Sequence, residues 1–153
     1  MTGRSVHATA VVMARQGLLL LGPSGSGKSA LASDLICRGA RLVADDRVLL
    51  TKHNNTLVAE APPALHGLLE LRGVGVVRVP ATGPTPVRLV ADLGRAPNCR
   101  VPDGLTWTEQ GITIQRLDLL DVPNVPNVLE LLLRKDVQRV APVDVGDDYA
   151  EPR

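Results

Sequence analysis

The stretch Gly22-Pro23-Ser24-Gly25-Ser26-Gly27-Lys28-Ser29 constrains this chain more than any other. It reads G-x-x-x-x-G-K-S, a pattern that carries meaning when a buried strand enters it and a helix leaves it. Leu18 to Leu21 is an apolar run after a turn at Gln16-Gly17. From Lys28 to Arg38 the apolar residues Leu31, Ala32, Leu35 and Ile36 recur at helical spacing, and Gly39 stands where a helix C-terminal glycine belongs. Glycines let successive backbone N–H groups face phosphate oxygens, and the helix start adds its positive dipole end. Lys28 is expected to reach the phosphates as a point charge, and the Ser29 hydroxyl to ligate Mg²⁺. Gly22 to Ser29 therefore reads as a nucleotide-phosphate site.

The remainder of the chain narrows the class. At 153 residues it fits one domain with a real core, expected over residues 1–140. With no Phe, one Trp and one Tyr, that core has to be built from Leu, Val, Ile and Ala. A formal charge of +1 without a dense basic run argues against a nucleic-acid surface. Cys37 and Cys99 are isolated, so reduced cysteines in a cytoplasmic protein are expected rather than a metal or disulfide framework. No stretch approaches a membrane span and the N-terminus has no signal-peptide pattern.

Taken in order, Ser5 to Val12 reads as one strand with His7, Thr9 and Val11 on one face. The short connection through Arg15-Gln16-Gly17 makes the next strand antiparallel to it. Beyond the helix, Arg41 to Ala44 delivers the adjacent acids Asp45 and Asp46, at the strand end where open α/β sheets place ligands. One carboxylate can help hold Mg²⁺ while its neighbour accepts a proton from an attacking hydroxyl. Val48 to Ala59 reads as a hairpin turning at His53-Asn54-Asn55, and Pro62-Pro63 breaks regular structure. His66 to Val77 alternates so that Glu70 and Arg72 share one strand face: a metal ligand and a phosphate binder, or a surface ion pair. Pro80 to Pro86 reads as a mobile loop near the site, and Val87 to Asp92 as a strand. Arg100 lies in an irregular segment. Gly104 to Glu109 and Ile112 to Leu120 read as strands joined at Gln110-Gly111. Asn127 is expected to cap a last helix, Val128 to about Arg139, with Glu130 three positions later. A loose acidic tail is expected over residues 141–153.

The order of strand, P-loop and helix, then Arg-Leu-Val-Ala-Asp-Asp-Arg-Val, Ala61-Pro62-Pro63 and Leu69-Glu70-Leu71-Arg72-Gly73-Val74-Gly75, resembles the catalytic domain of HPr kinase/phosphorylase in its short form. The resemblance runs over roughly Val6 to Val77. It implies an α/β fold of the HPr kinase and phosphoenolpyruvate carboxykinase type, a mixed β-sheet with flanking helices, assembled as a hexamer. It implies ATP and Mg²⁺, with the phosphocarrier protein HPr as partner. His7, Lys28, Asp45, Arg72 and, across variable sequence, Arg100 then match catalytic positions. Ser29, Asp46 and Glu70 match metal-binding ones, and Asp45 matches the general base. Two stretches depart from the family pattern: Arg78 to Pro84, and Val122 to Asn127, which stands where a loop associated with phosphorolysis is expected. The resemblance thus carries serine phosphorylation further than its reversal. A nucleotide-sensing module without catalysis, and a P-loop kinase for another acceptor, are the alternative readings.

Overall fold

The strand that enters the phosphate-binding loop lies inside a mixed sheet. The computed structural model describes residues 3–138 and 140. In chain order the elements are β1 (Arg4–Val6), β2 (Thr9–Met13), β3 (Gln16–Leu21), α1 (Lys28–Cys37), β4 (Arg41–Ala44), β5 (Val48–His53) and β6 (Thr56–Glu60). A 3₁₀ turn (Pro63–Leu65) leads to β7 (Leu68–Leu71) and β8 (Gly75–Arg78), followed by β9 (Thr85–Asp92), β10 (Thr106–Glu109), β11 (Ile112–Asp118) and α2 (Val125–Leu133). Among the described residues nine strands form one sheet in the order β1-β5-β6-β9-β3-β2-β4, with β11 and then β10 branching from β9; β7 and β8 pair only with each other. The expected α/β architecture, a mixed sheet with flanking helices, is the one observed.

One irregularity explains the branching. Gly17 pairs with Val87 but Leu18 with Leu89, so Arg88 is an extra residue on β9. Such a bulge flips the side-chain alternation and bends the strand. Val87 accordingly packs on one face of the sheet and Leu89 on the other. Before the bulge β9 pairs antiparallel with β6; after it β9 pairs parallel with β11.

The two faces carry two cores. Leu18, Leu20, Leu42 and Leu89 pack against Leu31 and Leu35 of α1 and Leu129 and Leu133 of α2. Leu19, Val43 and Val90 pack on the opposite face with Leu50, Leu57 and Ile114. Each such fully buried leucine contributes about 1.5–3 kcal/mol, so aliphatic side chains suffice without phenylalanine. Helix α1 stops as its sequence dictates: Gly39, at φ 104°, donates to Ile36 O, and Ala40 donates to Leu35 O. That pair of bonds is a Schellman cap, and a β-carbon at Gly39 would strain it.

Four local expectations need correction. The strand expected over Ser5–Val12 is broken at His7-Ala8: β1 pairs with β5, whereas β2 lies between β3 and β4. A chain that changes neighbours cannot stay a straight strand. Glu70 and Arg72 do not share a strand face, because β7 ends at Leu71 and Arg72 belongs to the turn into β8. The segment from Pro80 is tied down, with Leu42 N donating to Pro80 O and Thr82 N to Leu42 O, and the next strand begins at Thr85. The last helix begins at Val125 and ends at Leu133; its cap is Asn124, with Pro126 in its first turn. Asn127 and Glu130 instead accept hydrogen bonds from Arg38 Nη1, at 2.7 and 2.6 Å, fastening α2 to α1. The expected tail over 141–153 lies outside the described residues. No helix among the described residues is long and apolar enough to cross a membrane.

Candidate active site

Strand direction assembles the site. β2 runs antiparallel to both β3 and β4, so β3 and β4 point the same way, and β9 is parallel to β3. The phosphate-binding loop after β3, Asp45-Asp46 after β4 and Asp92 at the end of β9 therefore emerge at one edge, where the start of β2 brings Thr9 and His7. Ligands in open α/β sheets bind at this carboxyl edge.

Below the edge lies a buried set. Asp45 is 6% exposed. Its Oδ1 accepts from Ser29 Oγ at 2.7 Å and from Thr9 Oγ1 at 3.0 Å, and its Oδ2 faces the backbone N–H of Glu70 at 3.4 Å. Lys28 is also buried, its ammonium donating to the carbonyls of Gly22 at 2.7 Å and Pro23 at 3.0 Å. Burial lowers the Lys28 pKa from its ordinary value, opposed by the charges of Asp45 and Asp46. A desolvated ammonium whose hydrogen bonds, among the described residues, go to its own loop's carbonyls is poised for an anion. The Ser26 hydroxyl in the same loop is buried with no hydrogen-bond partner among the described residues.

Above the edge lies an exposed set. Asp46, at φ 68°, turns away from Asp45. Its Oδ1 is 3.4 Å from His7 Nδ1, and His7 Nε2 is 3.4 Å from Ser24 Oγ, so the imidazole spans from the second acid to the loop. The break in the strand at His7 frees this side chain to stand at the edge.

Ser29 Oγ and Asp45 Oδ1 offer the hard oxygen donors that Mg²⁺ takes. Among the described residues no cluster of three or more His, Cys, Asp or Glu could hold a metal by itself. That composition suits an ion that keeps waters and uses one or two carboxylates beside substrate phosphates. Glu70 reaches the site through its backbone, and its side chain is exposed. Arg72 is exposed in the β7–β8 turn. Arg100 lines another cavity, of about 420 Å³, with Asp103, Arg116 and Asp118, and no residue of Gly22–Ser29 lines that cavity.

Sequence reasoning missed two contributors. Thr9 lies on the face assigned to it, but its bond to Asp45 depends on β4 lying beside β2. Gly94 follows β9, and a β-carbon there would come 2.8 Å from Pro23 Cδ and 3.6 Å from Gly22 Cα. Leu93 N donates to Leu21 O beside it at 2.8 Å. Only glycine lets that backbone back the phosphate-binding loop so closely; the signal in the sequence was a glycine two residues past a strand-terminal aspartate.

The comparisons with known proteins bear on family and fold. The family model described as HPr Serine kinase C-terminal domain matches residues 2–89. A protein named HPr kinase/phosphorylase from Lactobacillus johnsonii is 47% identical over 77 residues, and one of the same name from Lactobacillus acidophilus is 49% identical over 76. These matches cover 50% and 49% of this chain and 24% of each relative, so the chain matches about a quarter of their length. The solved structure described as the Hpr(Ser) kinase/phosphatase from Coxiella burnetii superposes with a TM-score of 0.76 at 28% identity, covering 85% of this chain and 93% of that one. Its coverage extends the likeness well beyond residue 89. From loop, paired acids and sheet to family model, the findings converge: the chain belongs to the family of the HPr serine kinase C-terminal domain.

Proposed function

We propose that this chain transfers the γ-phosphoryl group of ATP to a serine hydroxyl of the phosphocarrier protein HPr, with Mg²⁺. The observation that carries the proposal is that both acids after β4 meet one phosphate-binding loop: Asp45 accepts a hydrogen bond from Ser29, and Asp46 lies beside His7, which reaches Ser24. Family membership supplies the acceptor, since the relatives are named for it.

Each residue has work matched to its surroundings. The loop amides and Lys28 bind the phosphates, with Lys28 exchanging its carbonyl partners for phosphate oxygens. Ser29 and Asp45 would hold the metal, and Mg²⁺ bound there would offset charge on the phosphate oxygens. The division of partners supports the reverse of the sequence expectation for the two acids. Asp45 is buried and engaged by Thr9, Ser29 and Glu70 N, which suits metal support. Asp46 has a side chain 67% exposed, which suits it to take the proton of a serine presented by a protein surface. His7 orients Asp46. As the acceptor oxygen forms its bond to phosphorus, the bond to the leaving ADP oxygen breaks and the serine proton passes to Asp46. Such catalysis is mainly positioning and electrostatics. The backbone N–H of Glu70 brings the β7–β8 hairpin to Asp45, and Glu70, Arg72 and that hairpin are proposed to meet the acceptor protein. Assembly as a homo-oligomer, a hexamer by resemblance, belongs to the same proposal and is read by light scattering.

The test is incubation with γ-labelled ATP, Mg²⁺ and HPr. Label is expected on a serine of HPr, and a second incubation of phosphoserine-HPr with phosphate measures reversal. Folded chain that binds ATP yet leaves HPr unlabelled overturns the transfer reading and leaves a nucleotide sensor.

A further inference from the structure

Asp45 and Asp46, to which the proposed transfer assigns the metal and the proton, follow β4 on one flank of β3. On the other side of β3 the strands β9 and β11 run parallel to it and deliver Leu93 and Leu119–Asp121 to the same edge. These residues form one wall of a groove of about 250 Å³ whose opposite wall is Ala30 and Asp34 of α1. Ser26 and Gly27 of the phosphate-binding loop form its mouth.

Several features restrict what this groove can take. It opens on the loop, so its occupant is continuous with whatever the loop binds. Its lining has no Lys, Arg or His, so it is not built for a further anionic group. Leu93, Leu120, Val125 and Pro126 give it aliphatic surface, and Leu120 is 40% exposed, uncovered apolar area beside a polar loop. The carboxylates of Asp34 and Asp121 add acceptors, suited to hydroxyl and amino donors. Arg38 of α1 bonds both Asn127 and Glu130 of α2, which ties the helix carrying Ala30 and Asp34 to the one carrying Val125 and Pro126.

We propose that this groove seats the nucleoside of the nucleotide, its base against Leu93 and Leu120 and its ribose hydroxyls toward Asp34 and Asp121. The inference rests on the nucleotide reading above and adds to it a direction: the phosphate chain crosses the loop with its transferred end toward Asp45-Asp46 and its nucleoside end toward β9 and β11. The volume lies just below the roughly 300–1,000 Å³ of clefts for drug-sized ligands, as a nucleoside-sized site should.

The test compares ATP with inorganic tripolyphosphate, which has the phosphate chain and no nucleoside, by calorimetric titration of the full chain in Mg²⁺. ATP is expected to bind about tenfold or more tightly than tripolyphosphate. Ala30→Leu, which narrows the groove from an exposed helical position, and Leu120→Ala, which removes apolar wall, are each expected to weaken ATP about five- to tenfold and leave tripolyphosphate unchanged. Lys28→Met is the contrast, weakening both ligands. Equal binding of ATP and tripolyphosphate by the parent, or groove variants that weaken both alike, overturns the groove assignment while the loop reading stands. A folded parent that binds neither ligand overturns the nucleotide reading and the groove with it.

Discussion

The buried and exposed halves of the site contain the same chemical group in two settings. Asp45 and Asp46 are adjacent in sequence, yet one is 6% exposed under three donors and the other stands in solvent beside an imidazole. The positive φ of Asp46 produces the difference by turning the backbone between them. A carboxylate whose oxygens are already engaged is rigid and keeps its charge in place, which suits holding a cation. A carboxylate at a surface can approach an acceptor that arrives on another protein. The pair shows that backbone geometry, rather than residue type, puts neighbouring acids in different settings.

The largest effect expected from breaking this comparison comes from Asp46→Asn. Asparagine tolerates the left-handed backbone at this position, so folding should survive and stability should move by less than about 0.5 kcal/mol. Phosphoryl transfer to HPr should fall about 10³-fold, within the range for losing a general base, while calorimetric ATP affinity changes little. Asp45→Asn should behave differently. Its amide oxygen can still accept from Thr9 and Ser29, but its NH₂ group then opposes the Glu70 N–H, donor against donor. Denaturant titration should show a loss of about 1–3 kcal/mol, with weaker Mg²⁺-dependent ATP binding alongside. If Asp45→Asn is as stable as the parent and only turnover is lost, the division of roles is reversed.

Much of this site was legible in the sequence because its strongest parts are local. The loop, the strand before it and the glycine-capped helix after it lie within residues 16–40, and their pattern needs no distant partner. Asp45 and Asp46 were legible for the same reason. What the sequence could not show depends on neighbours in the sheet. His7 breaks a strand because the residues before it pair with β5 and those after it with β3 and β4, and no periodicity records a change of partner. Glu70 and Arg72 alternate correctly for a strand, but the hairpin turn cuts between them. Asn127 and Glu130 have capping chemistry, yet Pro126 already occupies the first turn and Arg38 claims both side chains. That proline was a readable signal of an earlier helix start.

A smaller perturbation sharpens the comparison from the buried side. Thr9→Val preserves shape and removes one donor to Asp45. The carboxylate remains buried with Ser29 and Glu70 N as partners, so the cost should be about 1–2 kcal/mol in denaturant midpoint analysis. Among the described residues the Asp46–His7 contact shares no bond with Thr9, so Asp46→Asn should cost the same factor in transfer in the Thr9→Val background as in the parent. Unequal factors would mean that the two halves are coupled.

The smallest effect concerns Lys28 and appears only at alkaline pH. Burial is the main cause that lowers its pKa, while the negative charges of Asp45 and Asp46 oppose the shift. Between the depressed folded value and the ordinary lysine value, the unfolded chain binds more protons at this site than the folded one. Stability must therefore rise with pH across that window relative to a variant that cannot titrate. The parent should gain on Lys28→Met as pH increases through the window, and the difference should level off once lysine is neutral in both states. Saturating ATP should reduce the gain, because phosphate charge beside the ammonium restores the pKa that burial removed. A parent and variant whose stability curves stay parallel through this range would show that the ammonium is hydrated in the free chain, and that the poised, desolvated state of the buried half does not exist before nucleotide arrives.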